Sequence, residues 1–182
     1  MPAEVIRPTI GRNVYIAPSS IVCGDVTIGD DTTIMYQVLI RGDVSAIRIG
    51  ARCNIQDGTV VHTKTGVPLD IADEVAVGHR AVVHCRRVGP RTLIGIGAIV
   101  LDDAEVGEGC VIGAGAVVPP GMIIPAGKVV LGVPAKIVRD ATPRDREYVD
   151  FVLYNYRRLA PLHSAGHFAT ANSTAAYDRA GQ

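Results

Sequence analysis

Branched aliphatic residues recur every six positions along most of this chain, and that period excludes both common forms of secondary structure. Stepping from Ile10 gives Ile16, Val22, Ile28, Ile34 and Ile40. A second run is Ile49, Ile55 and Val61, and a third is Ile71, Val77 and Val83. The longest passes through Val88, Ile94, Val100, Val106, Ile112, Val118, Ile124 and Val130. All twenty phased positions are Ile or Val, and Gly follows eight of them directly, as in Ile28-Gly29 and Val77-Gly78. A helix would repeat its apolar residues every three to four positions, and a half-buried strand would alternate.

A six-residue unit fits one short strand and one corner. The aliphatic points inward, and Gly, Asn or Asp takes the tight bend. Three units close one triangular turn, and turns stacked at the inter-strand spacing of roughly 4.8 Å bury a continuous aliphatic column. The expected fold is therefore a β class of parallel β-helix. Its narrow interior explains why a chain that is 48% hydrophobic has only two Phe and no Trp, since Val and Ile suit pleated strands.

The pattern changes near residue 142. Thr142-Pro143 followed by Arg-Asp-Arg-Glu reads as a capped helix start, with Pro in the first turn and acids near the positive end of the dipole. Tyr148, Phe151, Val152, Asn155 and Leu159 share one face at helical spacing, which predicts a helix laid back along the solenoid. The expected organisation is a repeat domain over 1–140, a helix over 141–162 and a flexible tail over 163–182, the last rich in Ala, Ser, Thr and Gly.

A formal charge of zero offers no electrostatic footprint for nucleic acid. No charged-then-apolar amino terminus or long apolar span points to export or membrane insertion. Cys23, Cys53, Cys85 and Cys110 lack CxxC spacing and read as small reduced residues, which suits a cytoplasmic protein.

The period also places the histidines. Val83 falls one turn after Val61, so His62 and His84 stack on one corner, and Arg41, after Ile40, shares it. His79 follows Val77 by two residues on the preceding corner, above Gln56 and Asp57. The two corners are separated by a strand of on the order of 13 Å, whereas zinc takes imidazole nitrogens at ~2.0–2.1 Å. One chain cannot bring the three together, but a threefold assembly can, if the His62/His84 corner of one subunit meets the His79 corner of the next. His163 and His167 fall in or beside the tail and read as incidental.

The motifs Arg41-Gly42-Asp43, Asn54-Ile55-Gln56-Asp57-Gly58, His62, Gly78-His79 and His84 resemble the γ-class carbonic anhydrase family. The segment Gly132-Val133-Pro134-Ala135-Lys136 resembles the end of the solenoid in that family and in hexapeptide-repeat acyltransferases. The resemblance implies a left-handed β-helix, a homotrimer, and a Zn2+ or Fe2+ ion held by His62, His79 and His84 across subunits. The implied reaction is reversible hydration of carbon dioxide to bicarbonate by a metal-bound hydroxide. Gln56 would orient that hydroxide, and Arg41 and Asp57 match interface positions where an Arg–carboxylate pair ties subunits together. Asp43 and Asn54 would support the site, and Tyr156 would match a family tyrosine near it.

Two departures bear on rate. The archetype has Glu directly after RGD, where this chain has Val44, and an acid beyond the first histidine, where Thr63-Lys64-Thr65-Gly66-Val67 has none. Those acids are implicated in proton export. Three functional classes follow: a metal-dependent carbonic anhydrase, a CoA-dependent acyltransferase or thioesterase using one histidine as a base, and a slow or non-catalytic metal-bearing scaffold.

Overall fold

The computed structural model describes residues 5–169. The inward aliphatics sit on three parallel faces, as the period predicts. One face stacks the first half of Leu39–Ile49 with Val60–Val61, Val82–Val83, Ile99–Val100 and Val117–Val118. The next uses the second half of Leu39–Ile49 with Leu69–Ile71, Arg87–Val88, Glu105–Val106 and Ile123–Ile124. The third is an eight-stranded sheet running from Tyr15–Ile16 through Asn54–Ile55 and Ala76–Val77 to Lys128–Gly132 and Ala135–Asp140. Every pairing is parallel except the last, where Lys128–Gly132 and Ala135–Asp140 form an antiparallel hairpin. This is the hexapeptide left-handed β-helix, closed by one helix.

Register follows the arithmetic. Val61 pairs with Ile40 and with Val83, and Val77 pairs with Ile55. The column of Ile34, Ile40, Ile55, Val61, Ile71, Val77, Val83 and Ile94 is fully buried. Leu39–Ile49 runs unbroken round the Arg-Gly-Asp corner instead of ending at a tight turn, which merges two faces into one sheet.

The corners differ from expectation in who bends and why. The glycines after the aliphatics are needed for close approach. A Cβ on Gly78 would sit 2.7 Å from the Ile96 nitrogen of the next turn, and one on Gly95 would sit 2.6 Å from that of Ala114. The left-handed bend falls two residues later, and it includes Gln37, Arg52, Glu74, Arg80 and Arg91 beside the expected Asn, Asp and Gly. Each such side chain costs roughly 1–2 kcal/mol. Backbone bonds between turns hold these corners, such as Arg80 N–H to Asp57 O and Gly97 N–H to His79 O.

The helix α1 spans Pro143–Ser164. Thr142 caps it: its hydroxyl accepts from Asp145 N–H while the Asp145 carboxylate accepts from Thr142 N–H at 2.7 Å. Arg139 holds the Asp145 carboxyl well below the usual carboxylate range. The packed face is turned from the expected one. Val149, Val152 and Leu153 pack on Ala76, Leu93 and Val111, while Tyr148 and Phe151 are exposed. Arg91 ties the helix to the solenoid through Asp150 at 2.7 Å, which favours that rotation.

Pro161 does not end α1, which continues past residue 162 to Ser164. His163, expected to be incidental, is docked: its Nδ1 is 3.1 Å from the Tyr36 hydroxyl, and its ring packs on Tyr15 and Phe168. The rest of the expected tail, 170–182, lies outside the described residues. Among the described residues no helix is long and apolar enough to cross a membrane.

Candidate metal and active site

The first corner carries four side chains in a vertical stack, one per turn. Asp43 Oδ1 lies 3.0 Å from His62 Nε2, His62 Nδ1 lies 3.0 Å from His84 Nε2, and His84 Nδ1 lies 2.6 Å from Asp102 Oδ1. The backbone fixes the spacing, because His62 N–H donates to Val83 O and His84 N–H to Val100 O. A carboxylate only accepts, so the outer nitrogen of each ring carries the proton. With both outer nitrogens so engaged, the two inner nitrogens, His62 Nδ1 and His84 Nε2, face each other at hydrogen-bond distance. Two imidazole nitrogens on one tetrahedral zinc would be about 3.3 Å apart, close to the 3.0 Å seen here.

Arg41 shares this corner and pairs with Asp43. The Asp43 carboxyl is held below its ordinary value, first by Arg41 and then by His62. Asp102 was not anticipated. The signal was present: Val100 pairs one turn above at the same face as Val83, so the residues after Val100 had to arrive above His84.

The second corner is built differently. His79 Nδ1 is 2.9 Å from Asp57 Oδ2, directly below it. Its Nε2 lies 3.3 Å from the Tyr156 hydroxyl, which α1 delivers from the side. Burial and the nearby Asp57 charge raise the Tyr156 pKa, so the phenol keeps its proton and can donate to Nε2. Asp57 also accepts from Tyr36 N–H at 3.2 Å. Gln56, nearly buried, gives an amide hydrogen to Asn54 Oδ1 at 2.9 Å. This fixes the amide plane and leaves the Gln56 carbonyl oxygen available as an acceptor. Asn54 Nδ2 is buried with no partner among the described residues, at a cost of about 1–3 kcal/mol.

A cavity of about 410 Å³ opens between this corner and α1. His79, Gln56 and Tyr156 line it together with apolar residues that include Leu93, Ile96 and Phe151. Within one chain, then, Arg41, His62 and His84 gather on one corner, and Gln56, Asp57, His79 and Tyr156 on another. Among the described residues no three His, Cys, Asp or Glu side chains are placed to hold a metal ion. Cys85, beside His84, points into the core, and burial pushes its thiol up to about 12, so it is not a soft ligand.

Known proteins share this plan. The bacterial transferase hexapeptide (six repeats) family matches residues 7–42 and 87–120. A hexapeptide transferase family protein from Anaplasma phagocytophilum superposes with a TM-score of 0.80 at 35% identity, covering 85% of this chain and 91% of that one. The mitochondrial gamma carbonic anhydrase 2 of Arabidopsis thaliana is 39% identical, over 87% of this chain and 59% of its own length. A carbonic anhydrase from Geobacillus kaustophilus is 48% identical over 151 residues, which are 79% of this chain and 83% of that protein. Identity at that level across most of both proteins places the chain in the γ-class carbonic anhydrase family of hexapeptide-repeat lyases.

Proposed function

We propose that the protein catalyses reversible hydration of carbon dioxide as a homotrimer. A Zn2+ or Fe2+ ion would be held by His62 and His84 of one subunit and His79 of the next. One observation carries this reading: each of the three imidazoles rests one nitrogen on its own carboxylate, Asp43, Asp57 or Asp102, and turns the other away from it. Carboxylate-backed histidines of this kind are fixed in tautomer and made more basic toward a metal. Bound there, the ion would supply the Lewis acidity that brings a water's pKa to about 7.

The remaining residues bind, orient and shield. Gln56, held by Asn54, would orient the attacking oxygen by accepting its hydrogen. Tyr156 would release His79 Nε2 for the ion and remain a hydrogen-bond donor beside it. Arg41 and Asp57 sit on the two corners that would meet, so an Arg–carboxylate contact between subunits suits them. Val44 and the acid-free 63–67 loop leave proton export to solution buffers. A cytoplasmic location fits the reduced cysteines.

Anaerobic purification, metal analysis and a stopped-flow hydration assay test the proposal. A trimer with about one zinc or iron per chain and buffer-assisted hydration is expected, and a metal-free trimer without hydration would refute it. A second reading is favoured by the apolar cavity beside His79, which is far larger than carbon dioxide requires: His79 could act as a general base in acyl-CoA transfer or hydrolysis. Acyl-CoA turnover by metal-free protein would support that reading.

A further inference from the structure

Of the three histidine–carboxylate contacts, the one made by Asp102 is the shortest, at 2.6 Å. Its place is rigid. His84 N–H donates to Val100 O at 2.9 Å and Leu101 N–H to Val118 O at 3.1 Å, so Asp102 follows a firmly paired rung. The adjacent Asp103 binds Lys64 at 2.8 Å instead.

The need for Asp102 follows from what the two rings would do without it. Left to themselves, stacked imidazoles 3.0 Å apart satisfy each other: His84 Nε2–H donates to the His62 Nδ1 lone pair, and the gap is filled by a hydrogen bond. Asp43, at the far side of His62, already holds the proton on Nε2 of that ring and cannot prevent this. Only an acceptor at His84 Nδ1 draws the proton to the outer nitrogen and leaves both inner nitrogens bare.

We infer that Asp102 is a positioning residue that holds His84 in the Nδ1–H tautomer, so that the His62/His84 corner presents two lone pairs to a divalent metal ion. The inference rests on the metal-site reading proposed above. Loss of the carboxylate lets the His84 Nε2–H to His62 bond form, and an ion must then break it before binding.

The test uses the full-length protein, stripped with a chelator and labelled with 15N-histidine. Long-range proton–nitrogen correlation spectra at mildly alkaline pH report the His84 tautomer, and competition titration with zinc alone reports affinity. Wild type should show Nδ1–H. Asp102→Ala should switch to Nε2–H and lose zinc affinity by about 10- to 100-fold. Asp102→Asn, whose carbonyl oxygen still accepts, should restore part of both, and Asp103→Asn should change neither. An unchanged tautomer with unchanged affinity in Asp102→Ala would overturn the inference. So would equal losses in the Ala and Asn variants with the wild-type tautomer retained, because that marks a merely structural role. Absence of zinc binding in wild type would instead refute the metal reading, while the tautomer comparison would still decide the role of Asp102.

Discussion

The two histidine corners sit on the same solenoid and were built by different means. At the His62/His84 corner every functional side chain comes from the solenoid itself, from Arg41 and Asp43 on one turn up to Asp102. At the His79 corner the stack supplies Asp57 below, and a separate element, α1, supplies Tyr156 from the side. One corner is therefore as rigid as the backbone rungs beneath it. The other depends on how a helix is capped and docked. Perturbations of the sheet and of the helix should separate them.

The sharpest separation is complementation. His62→Ala or His84→Ala should abolish metal binding, as should His79→Ala, because a three-ligand site tolerates none of these losses. Co-expressed His79→Ala and His62→Ala chains should recover metal at some interfaces of mixed trimers, measured on doubly tagged trimers. Mixed trimers without metal would show that the corners do not share a site.

Proton export comes next in size, since a positioned acid–base group typically contributes about 10²–10⁴-fold. With Val44 and the acid-free loop, hydration should rise steeply with added imidazole, read by stopped-flow at fixed pH. Fast, buffer-independent turnover would point to a shuttle elsewhere, with Tyr156 the first residue to replace by Phe.

Gly78→Ala then attacks the His79 corner from within. Its Cβ would meet the backbone of the next turn at 2.7 Å, so a loss of about 1–3 kcal/mol is expected in denaturant unfolding. The His79 environment should shift more than that of His62, as read by histidine NMR. Thr142→Ala is the mildest change. Removing the cap should cost about 1 kcal/mol and loosen Tyr156 from His79, leaving the His62–His84 signals in place.

The same contrast explains what could be read in advance. Turn pairing was legible because an inward Ile or Val every six residues leaves no other register, so Val61 had to meet Val83 and His62 had to meet His84. Asp102 was equally within reach of that arithmetic, at the turn above. The helix face was not. Tyr148 and Phe151 match Val149 and Val152 in apolar character and spacing. What chooses between them is shape at Ala76 and Leu93 and the Arg91–Asp150 pair, contacts from a distant part of the chain. The Tyr156–His79 contact inherits that difficulty, which is why it rested on resemblance alone. The glycines after the aliphatics were visible, but their reason was not: it lies in the next turn's backbone, not in a local bend.

His62 and His84 are 22 residues apart in sequence and 3.0 Å apart at their nitrogens. The chain between them completes a full circuit and carries the extra loop of residues 63–68. Rung spacing, not linker length, sets the distance between the donors. The loop is therefore an insertion port: residues can be added or removed there without changing the spacing of the two stacked imidazoles. A gate, a proton-carrying acid or a recognition segment could be exchanged at that port while the stacked pair is inherited intact, so the surroundings of the corner can vary independently of its core geometry.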